Sequence, residues 1–121
     1  MSDNAVPPAP GQRPAERRTW VRHACDLVVS CHPYISGKET LWSGRALDIS
    51  RGGIRIETDR PFELWAAMIL RIRNPGAGIS LTSLARVLHL DELEAGKWLV
   101  GYCFARPVSD EDLQALLKPP A

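Results

Sequence analysis

The stretch Asp48-Ile-Ser-Arg-Gly-Gly-Ile-Arg-Ile-Glu-Thr58 contains a turn followed directly by a strand. Its double glycine is typical of a tight turn, because glycine adopts backbone angles that other residues avoid. Residues 54–58 then alternate strictly, with Ile54 and Ile56 on one side and charged side chains on the other. This period of two predicts a half-buried β-strand that begins where the turn ends.

Short apolar or alternating segments of this kind recur along the chain, separated by turn residues. Strands are predicted over 24–32, 40–49, 54–58, 67–73, 79–89 and 97–105. A single helical turn is expected over 62–66 and a polar loop over 91–96. Ser109 precedes leucines at helical spacing, which predicts a helix over 109–118. Closely spaced strands without intervening helices favour an all-β antiparallel barrel or sandwich.

The chain has 121 residues, which is the length of one domain. Residues 1–15 are rich in proline and lack periodicity, so a disordered tail is expected there. The predicted domain covers 16–118. It consists of a basic arm over 16–23, the β-strands over 24–105 and the terminal helix.

Composition narrows the classes of function. The net charge is only +1, which argues against a nucleic-acid polymer as partner. No segment approaches the ~20 apolar residues of a membrane span, and the N-terminus does not resemble a signal peptide. The three cysteines match no disulfide framework, and we expect reduced thiols in a cytoplasmic protein.

Catalytic and metal sites are poorly supported by the sequence. His23 and Cys25 share a strand face and are candidates for a base and a nucleophile, but no third group accompanies them. Cys31 and His32 are adjacent in a strand and point to opposite faces. No C-x-x-C or H-x-x-x-H spacing suggests zinc. We therefore expect neither an enzyme nor a bound metal or cofactor.

Two motifs carry binding chemistry. The first is R-x-x-x-R, formed by Arg18 and Arg22, with Arg17 beside it. Its guanidinium groups suit phosphate oxygens or the O6/N7 edge of guanine. The second is D-x-S-x-x-G, formed by Asp48, Ser50 and Gly53.

The second motif adds a hydrogen-bond acceptor to the donors of the first. The Asp48 carboxylate can accept hydrogen bonds from N1–H and N2–H₂ of guanine, and Ser50 adds a small polar group. Glycine at 52 and 53 lets the backbone approach a ligand. Each motif alone is weak evidence, since the first occurs in solvated basic segments and the second in ordinary hairpin turns.

In this order and spacing, the two motifs resemble the PilZ domain family. Leu84-Ala-Arg-Val87 followed by Val100-Gly-Tyr-Cys-Phe104 is also similar to the family's closing pair of strands. The resemblance implies a six-stranded antiparallel β-barrel, to which the predicted C-terminal helix is added. It also implies that cyclic di-GMP is bound by residues of both motifs, here Arg17, Arg18, Arg22, Asp48, Ser50 and Gly53.

Arg51, Gly52 and Arg86 are further candidates for contact with the ligand. Trp20, between the motif arginines, is expected either to anchor the arm or to stack on a base. The sequence departs from the family's pattern at Trp65, where a small turn residue is usual.

The function expected from this resemblance is that of a stand-alone receptor or adaptor. Its arm would order on the ligand and signal to an unknown partner protein. The alternative is a PilZ-like interaction module, in pili or motility, that does not bind the nucleotide.

Overall fold

A computed structural model of the chain describes residues 20–35 and 41–119, and Arg17 and Arg18 lie outside them. Six strands and one helix are present in these ranges. They are β1 His23–Pro33, β2 Trp42–Ile49, β3 Gly53–Thr58, β4 Ala67–Asn74, β5 Ile79–Glu94, β6 Lys97–Phe104 and α1 Asp110–Leu116. No helix among the described residues is long and apolar enough to cross a membrane.

The strands form a closed barrel in the order β1-β2-β3-β6-β5-β4. Every pairing is antiparallel, and β1 pairs with β4 to complete the ring. The expectation of a six-stranded antiparallel barrel is therefore confirmed. Closure pairs each strand with two neighbours, although β5 extends past its pairing with β4, which ends at Arg86, and its last part pairs with β6 alone.

Alternation along the strands fills the barrel interior. Leu27, Val29 and Cys31 of β1 are buried, and Cys25 packs against the same core. Ile54 and Ile56 are each 1% exposed, as their spacing predicted. In the closing pair of strands, Ala85 and Val87 of β5 face Phe104 and Tyr102 of β6, and all four are buried.

The predicted helical turn over 62–66 is wrong. The segment forms a tight turn in which Ala66 N–H donates to the Glu63 carbonyl at 3.2 Å. Trp65 has a φ of 68°, a left-handed conformation that disfavours side chains with a Cβ. This geometry explains why a small residue is the usual choice at this turn.

The predicted loop over 91–96 is also wrong, because β5 continues to Glu94. Glu92 pairs with Trp98, and Glu94 pairs with Lys97, so only Ala95 and Gly96 are left in the turn. The side chains over 91–94 are exposed. Backbone pairing with β6 therefore maintains a strand whose polar side chains suggested a loop.

The terminal helix α1 begins as predicted. The Ser109 hydroxyl accepts a hydrogen bond from Asp112 N–H at 3.1 Å, which caps the first turn. Leu113 and Leu116 are buried in the common core. A helix of seven residues is too short to be stable in isolation, so this packing holds it in place.

Candidate functional site

Asp48 reaches the outer face of the barrel because β2 contains a bulge at Leu47. Ala46 pairs with Ile56, whereas Asp48 pairs with the adjacent Arg55, so Leu47 has no partner on β3. Ala46 points into the core. Strict alternation would aim Asp48 there as well, and the extra residue reverses its direction.

The Asp48 carboxylate joins two arginines from different segments. Arg22 Nη1 donates to Oδ1 at 2.7 Å, and Arg55 Nε donates to Oδ2 at 2.7 Å. Arg55 Nη2 also contacts Oδ2. The Asp48 side chain is 11% exposed, whereas those of Arg22 and Arg55 are 52% and 46% exposed. The carboxylate thus holds both guanidinium groups, while about half of each arginine side chain stays open to solvent.

These contacts change the local electrostatics. The hydrogen bond that Arg55 donates to Asp48, together with the negative charge of that carboxylate, raises the pKa of Arg55 above its usual range. Both oxygens of Asp48 already accept hydrogen bonds from arginines, and the side chain is only 11% exposed, so little of the carboxylate is open to a guanine edge. In this arrangement Asp48 orients the guanidinium groups of Arg22 and Arg55.

Ser50 and Gly53 shape the turn that follows. The Ser50 hydroxyl oxygen accepts from the backbone N–H groups of Gly52 and Gly53, both at 3.2 Å. Neither glycine has a positive φ. Gly53 is required by packing, because a Cβ there would collide with the carbonyl oxygen of Tyr102 on the neighbouring strand.

An open cavity of about 610 Å³ lies beside this turn. Its size falls within the ~300–1,000 Å³ typical of small-molecule sites. Its wall comes from the arm, the turn, β3 and the β5–β6 pair: Trp20, Arg22, Ser50, Gly52, Gly53, Ile54, Arg55, Leu88, His89, Gly101 and Tyr102. Four of the predicted residues, Arg22, Ser50, Gly52 and Gly53, therefore meet at one cavity.

Three further predicted ligand contacts do not line this cavity: Asp48, Arg51 and Arg86. Arg51 Nε donates to the Val108 carbonyl at 2.8 Å, and its guanidinium lies 5.7 Å from the ring centre of Trp20. Trp20 lines the cavity and is held by this cation–π contact. Arg86 does not line the cavity and donates to the Trp65 carbonyl at 2.8 Å.

Sequence reasoning missed Arg55 and His89 as residues of this cavity. Arg55 had a visible signal, because the alternation over 54–58 places it on the outer face, two residues after the glycine of the second motif. The position of His89 depends on the pairing of β5 with β6, which periodicity along one strand does not reveal.

The cysteines and acidic residues form no second site in the part of the chain that is described. Residues 20–35 and 41–119 contain no group of three His, Cys, Asp or Glu side chains able to hold a metal. All three cysteines fall in these ranges, and none is in a disulfide. Burial raises the pKa of Cys25 and of Cys31 to about 11, which keeps both thiols protonated.

The fold recurs in solved structures. The Bacillus subtilis inhibitor of motility MotI/DgrA aligns with a TM-score of 0.66 at 24% identity, over 84% of this chain and 48% of that chain. This chain thus spans about half the length of the motility inhibitor. The PilZ domain of Escherichia coli YcgR, solved with cyclic di-GMP, aligns with a TM-score of 0.63 at 13% identity, over 83% of this chain and 86% of that chain.

A comparison with curated protein sequences finds no match. The sequence model of the PilZ domain, in contrast, matches residues 16–118, which include both motifs, the whole barrel and α1. The chain therefore belongs to the PilZ domain family, a family of cyclic di-GMP receptor and adaptor modules.

Proposed function

We propose that this chain binds cyclic di-GMP at the cavity beside the Ser50–Gly53 turn. One observation supports the proposal most directly: Asp48 holds Arg22 and Arg55 together at the cavity, and each arginine side chain remains about half exposed. Cyclic di-GMP carries two phosphate charges. Two oriented cations beside an open cavity are suited to such a ligand.

The proposed contacts are of two kinds: charged contacts from the arginines and close approach of the ligand to the backbone of the turn. Arg22 and Arg55 donate to phosphate oxygens or to the O6/N7 edge of guanine, for which a guanidinium fork is well matched. At Gly52 and Gly53 the turn has no side chains, so a ligand in the cavity can approach its backbone. Because Asp48 holds the arginines in place before the ligand arrives, less side-chain entropy is lost on binding.

The proposal extends to the rest of the arginine motif. Arg17 and Arg18 precede Arg22 by five and four residues, which is close enough for them to reach the same ligand. We expect residues 16–22 of the arm to change conformation when they do. Trypsin cleavage after Arg17 and Arg18, followed with and without cyclic di-GMP, measures this change, and slower cleavage with the ligand supports it.

We also propose that this chain signals to a partner protein in the cytoplasm. The half-buried and buried thiols, none of which is in a disulfide, are compatible with a reducing compartment. The motility inhibitor and YcgR share the fold, which makes a motility protein a reasonable class of partner to test.

A role in protein interaction without the nucleotide is the second candidate. Five exposed apolar side chains lie at one end of the barrel: Tyr34, Ile35, Leu41, Leu64 and Trp65. Tyr34 N–H donates to the carbonyl of Ala67 at 2.9 Å, so the end of β1 adjoins the turn that carries Leu64 and Trp65. Apolar patches of this kind are typical of protein interfaces.

Titration calorimetry with cyclic di-GMP separates the two candidates, with cyclic di-AMP and GTP as controls. Micromolar or tighter binding of cyclic di-GMP alone supports the receptor function and gives the stoichiometry. Absence of heat and of any thermal shift at millimolar ligand contradicts it and favours the interaction module.

A further inference from the structure

His89 lies on the outer face of the barrel because β5 contains a bulge at Leu88. Ala85 and Val87 point into the barrel and are fully buried. Strict alternation would direct His89 inward as well. Val87 pairs with Tyr102 and His89 with the adjacent Gly101, so Leu88 has no partner, and His89 becomes exposed. Bulges often re-aim a side chain next to a functional site.

Gly101 makes room for the His89 ring. A Cβ at position 101 would lie 2.8 Å from Cδ2 and 3.4 Å from Cγ of His89, closer than carbon atoms normally approach. The φ of Gly101 is not positive, so the backbone does not require glycine there. The imidazole therefore rests against the strand at the point where β6 has no side chain.

The ring borders two adjoining cavities. One is the 610 Å³ cavity beside the turn, and the other, of about 270 Å³, shares Arg22, Arg55, His89 and Gly101 with it. Asp91 of β5 is the remaining charged residue of the smaller cavity. Within residues 20–35 and 41–119, the His89 ring has no hydrogen-bond partner. An aromatic ring without a partner thus stands beside the two arginines held by Asp48.

We propose that His89 is a ligand-contacting residue that provides a stacking surface for a purine base. The inference rests on the proposed nucleotide binding and adds a contact that neither sequence motif contains. Arg22 and Arg55 bind the anionic part of the ligand, and the imidazole packs against the π-face of a base. Base stacking on an aromatic side chain contributes roughly fivefold to hundredfold to affinity.

Calorimetric titration of four variants with cyclic di-GMP tests this role. His89→Ala and His89→Gln remove the ring, and both are expected to weaken binding by roughly fivefold to hundredfold. His89→Phe keeps an aromatic face and is expected to bind within about threefold of wild type. Gly101→Ala displaces the ring without changing its chemistry and is expected to fall between these results.

His32→Ala is the matched control. His32 is on β1, and its Nδ1 lies 3.0 Å from the Pro33 carbonyl oxygen, at the end of the strand far from Arg22. The control is expected to bind as wild type. Wild-type affinity in His89→Ala contradicts the inference, as does a Gln variant that binds better than the Phe variant. If wild type itself does not bind, the proposed function fails instead.

Discussion

Asp48 and Arg55 face each other across β2 and β3 because Leu47 is an extra residue in β2. The bulge brings a carboxylate and a guanidinium to the same outer face, where Arg55 Nε donates to Asp48 Oδ2 at 2.7 Å. Arg22 occupies the other oxygen. The aspartate of the second motif and an arginine of the first are thus joined before any ligand is present.

This geometry predicts energetic coupling between Asp48 and Arg55 in ligand binding. If Asp48 acts by orienting the guanidinium groups, then Asp48→Asn weakens binding less in Arg55→Ala than in wild type, because only Arg22 is left for Asp48 to orient. A double-mutant cycle measured by calorimetry is expected to give a coupling energy of about 1 kcal/mol or more. If Asp48 binds guanine directly, the two effects add and the coupling is close to zero.

Stability is expected to depend on the Ser50 hydroxyl. Ser50 is 4% exposed and accepts two backbone N–H groups, which lose their partner in Ser50→Ala. We expect this change to lower the free energy of unfolding by about 1–3 kcal/mol, measured by urea denaturation. Ser50→Thr retains the hydroxyl and is the matched control. Equal stability of the Ala variant and wild type would show that the turn does not need this acceptor.

Trp65→Gly is expected to raise stability, or at worst preserve it. Glycine adopts a φ of 68° without the cost of roughly 1–2 kcal/mol that other residues incur. The gain is partly offset by the greater entropy of glycine in the unfolded chain, which leaves a net increase of up to about 1 kcal/mol. Because the Trp65 side chain is largely exposed, little buried surface is lost.

Leu64→Gly is the control for this prediction, since Leu64 has no positive φ. It is expected to lower the melting temperature, whereas Trp65→Gly raises it or leaves it unchanged. A loss of more than about 1 kcal/mol in Trp65→Gly would show that the indole stabilises the fold in spite of its exposure.

Alkaline pH is expected to destabilise the barrel through its buried thiols. Burial raises the pKa of Cys25 and Cys31 from 9.0 to about 11, so the folded state holds these protons more tightly than the unfolded chain. The stability they contribute is complete below pH 9 and is lost as the pH rises from 9 to 11. Burial also raises the pKa of Tyr102, which adds to the loss above pH 10.

Urea denaturation between pH 8 and 10 checks this expectation. Cys25→Ser removes one of the two thiols and retains a donor for the Ala46 carbonyl, which Cys25 Sγ approaches at 3.6 Å. Its free energy of unfolding should fall less steeply with pH than that of wild type. Identical slopes would mean that Cys25 is more accessible to solvent than its burial indicates.

Much of the fold follows from period-two alternation and from turn residues. The alternation over 54–58 and 97–105 correctly predicted which residues face the core, because each barrel strand has one buried face. Alternation did not predict a strand over 91–94, because the side chains in this part of β5 are all exposed and mostly polar. Turn residues likewise did not predict the left-handed φ of 68° at Trp65, which tryptophan disfavours.

The candidate site could be predicted from the sequence only in part, because the directions of two of its side chains depend on how the strands pair. Ser50, Gly53 and Arg22 stand in contiguous motifs and could be found along the chain. The directions of Asp48 and His89 depend on bulges at Leu47 and Leu88, which are properties of the register between two strands. Periodicity within one strand assigns both side chains to the barrel interior, and only the pairing shows them outside.

Titration of cyclic di-GMP into wild type, Arg55→Ala and Arg45→Ala tests the central claim most directly. Arg45 is the matched control, because it is an exposed strand arginine paired with Asp26 and does not line the cavity beside the turn. We predict micromolar or tighter binding in wild type and Arg45→Ala, and roughly tenfold to hundredfold weaker binding in Arg55→Ala. Equal affinity in all three proteins would contradict the role assigned to the arginines held by Asp48.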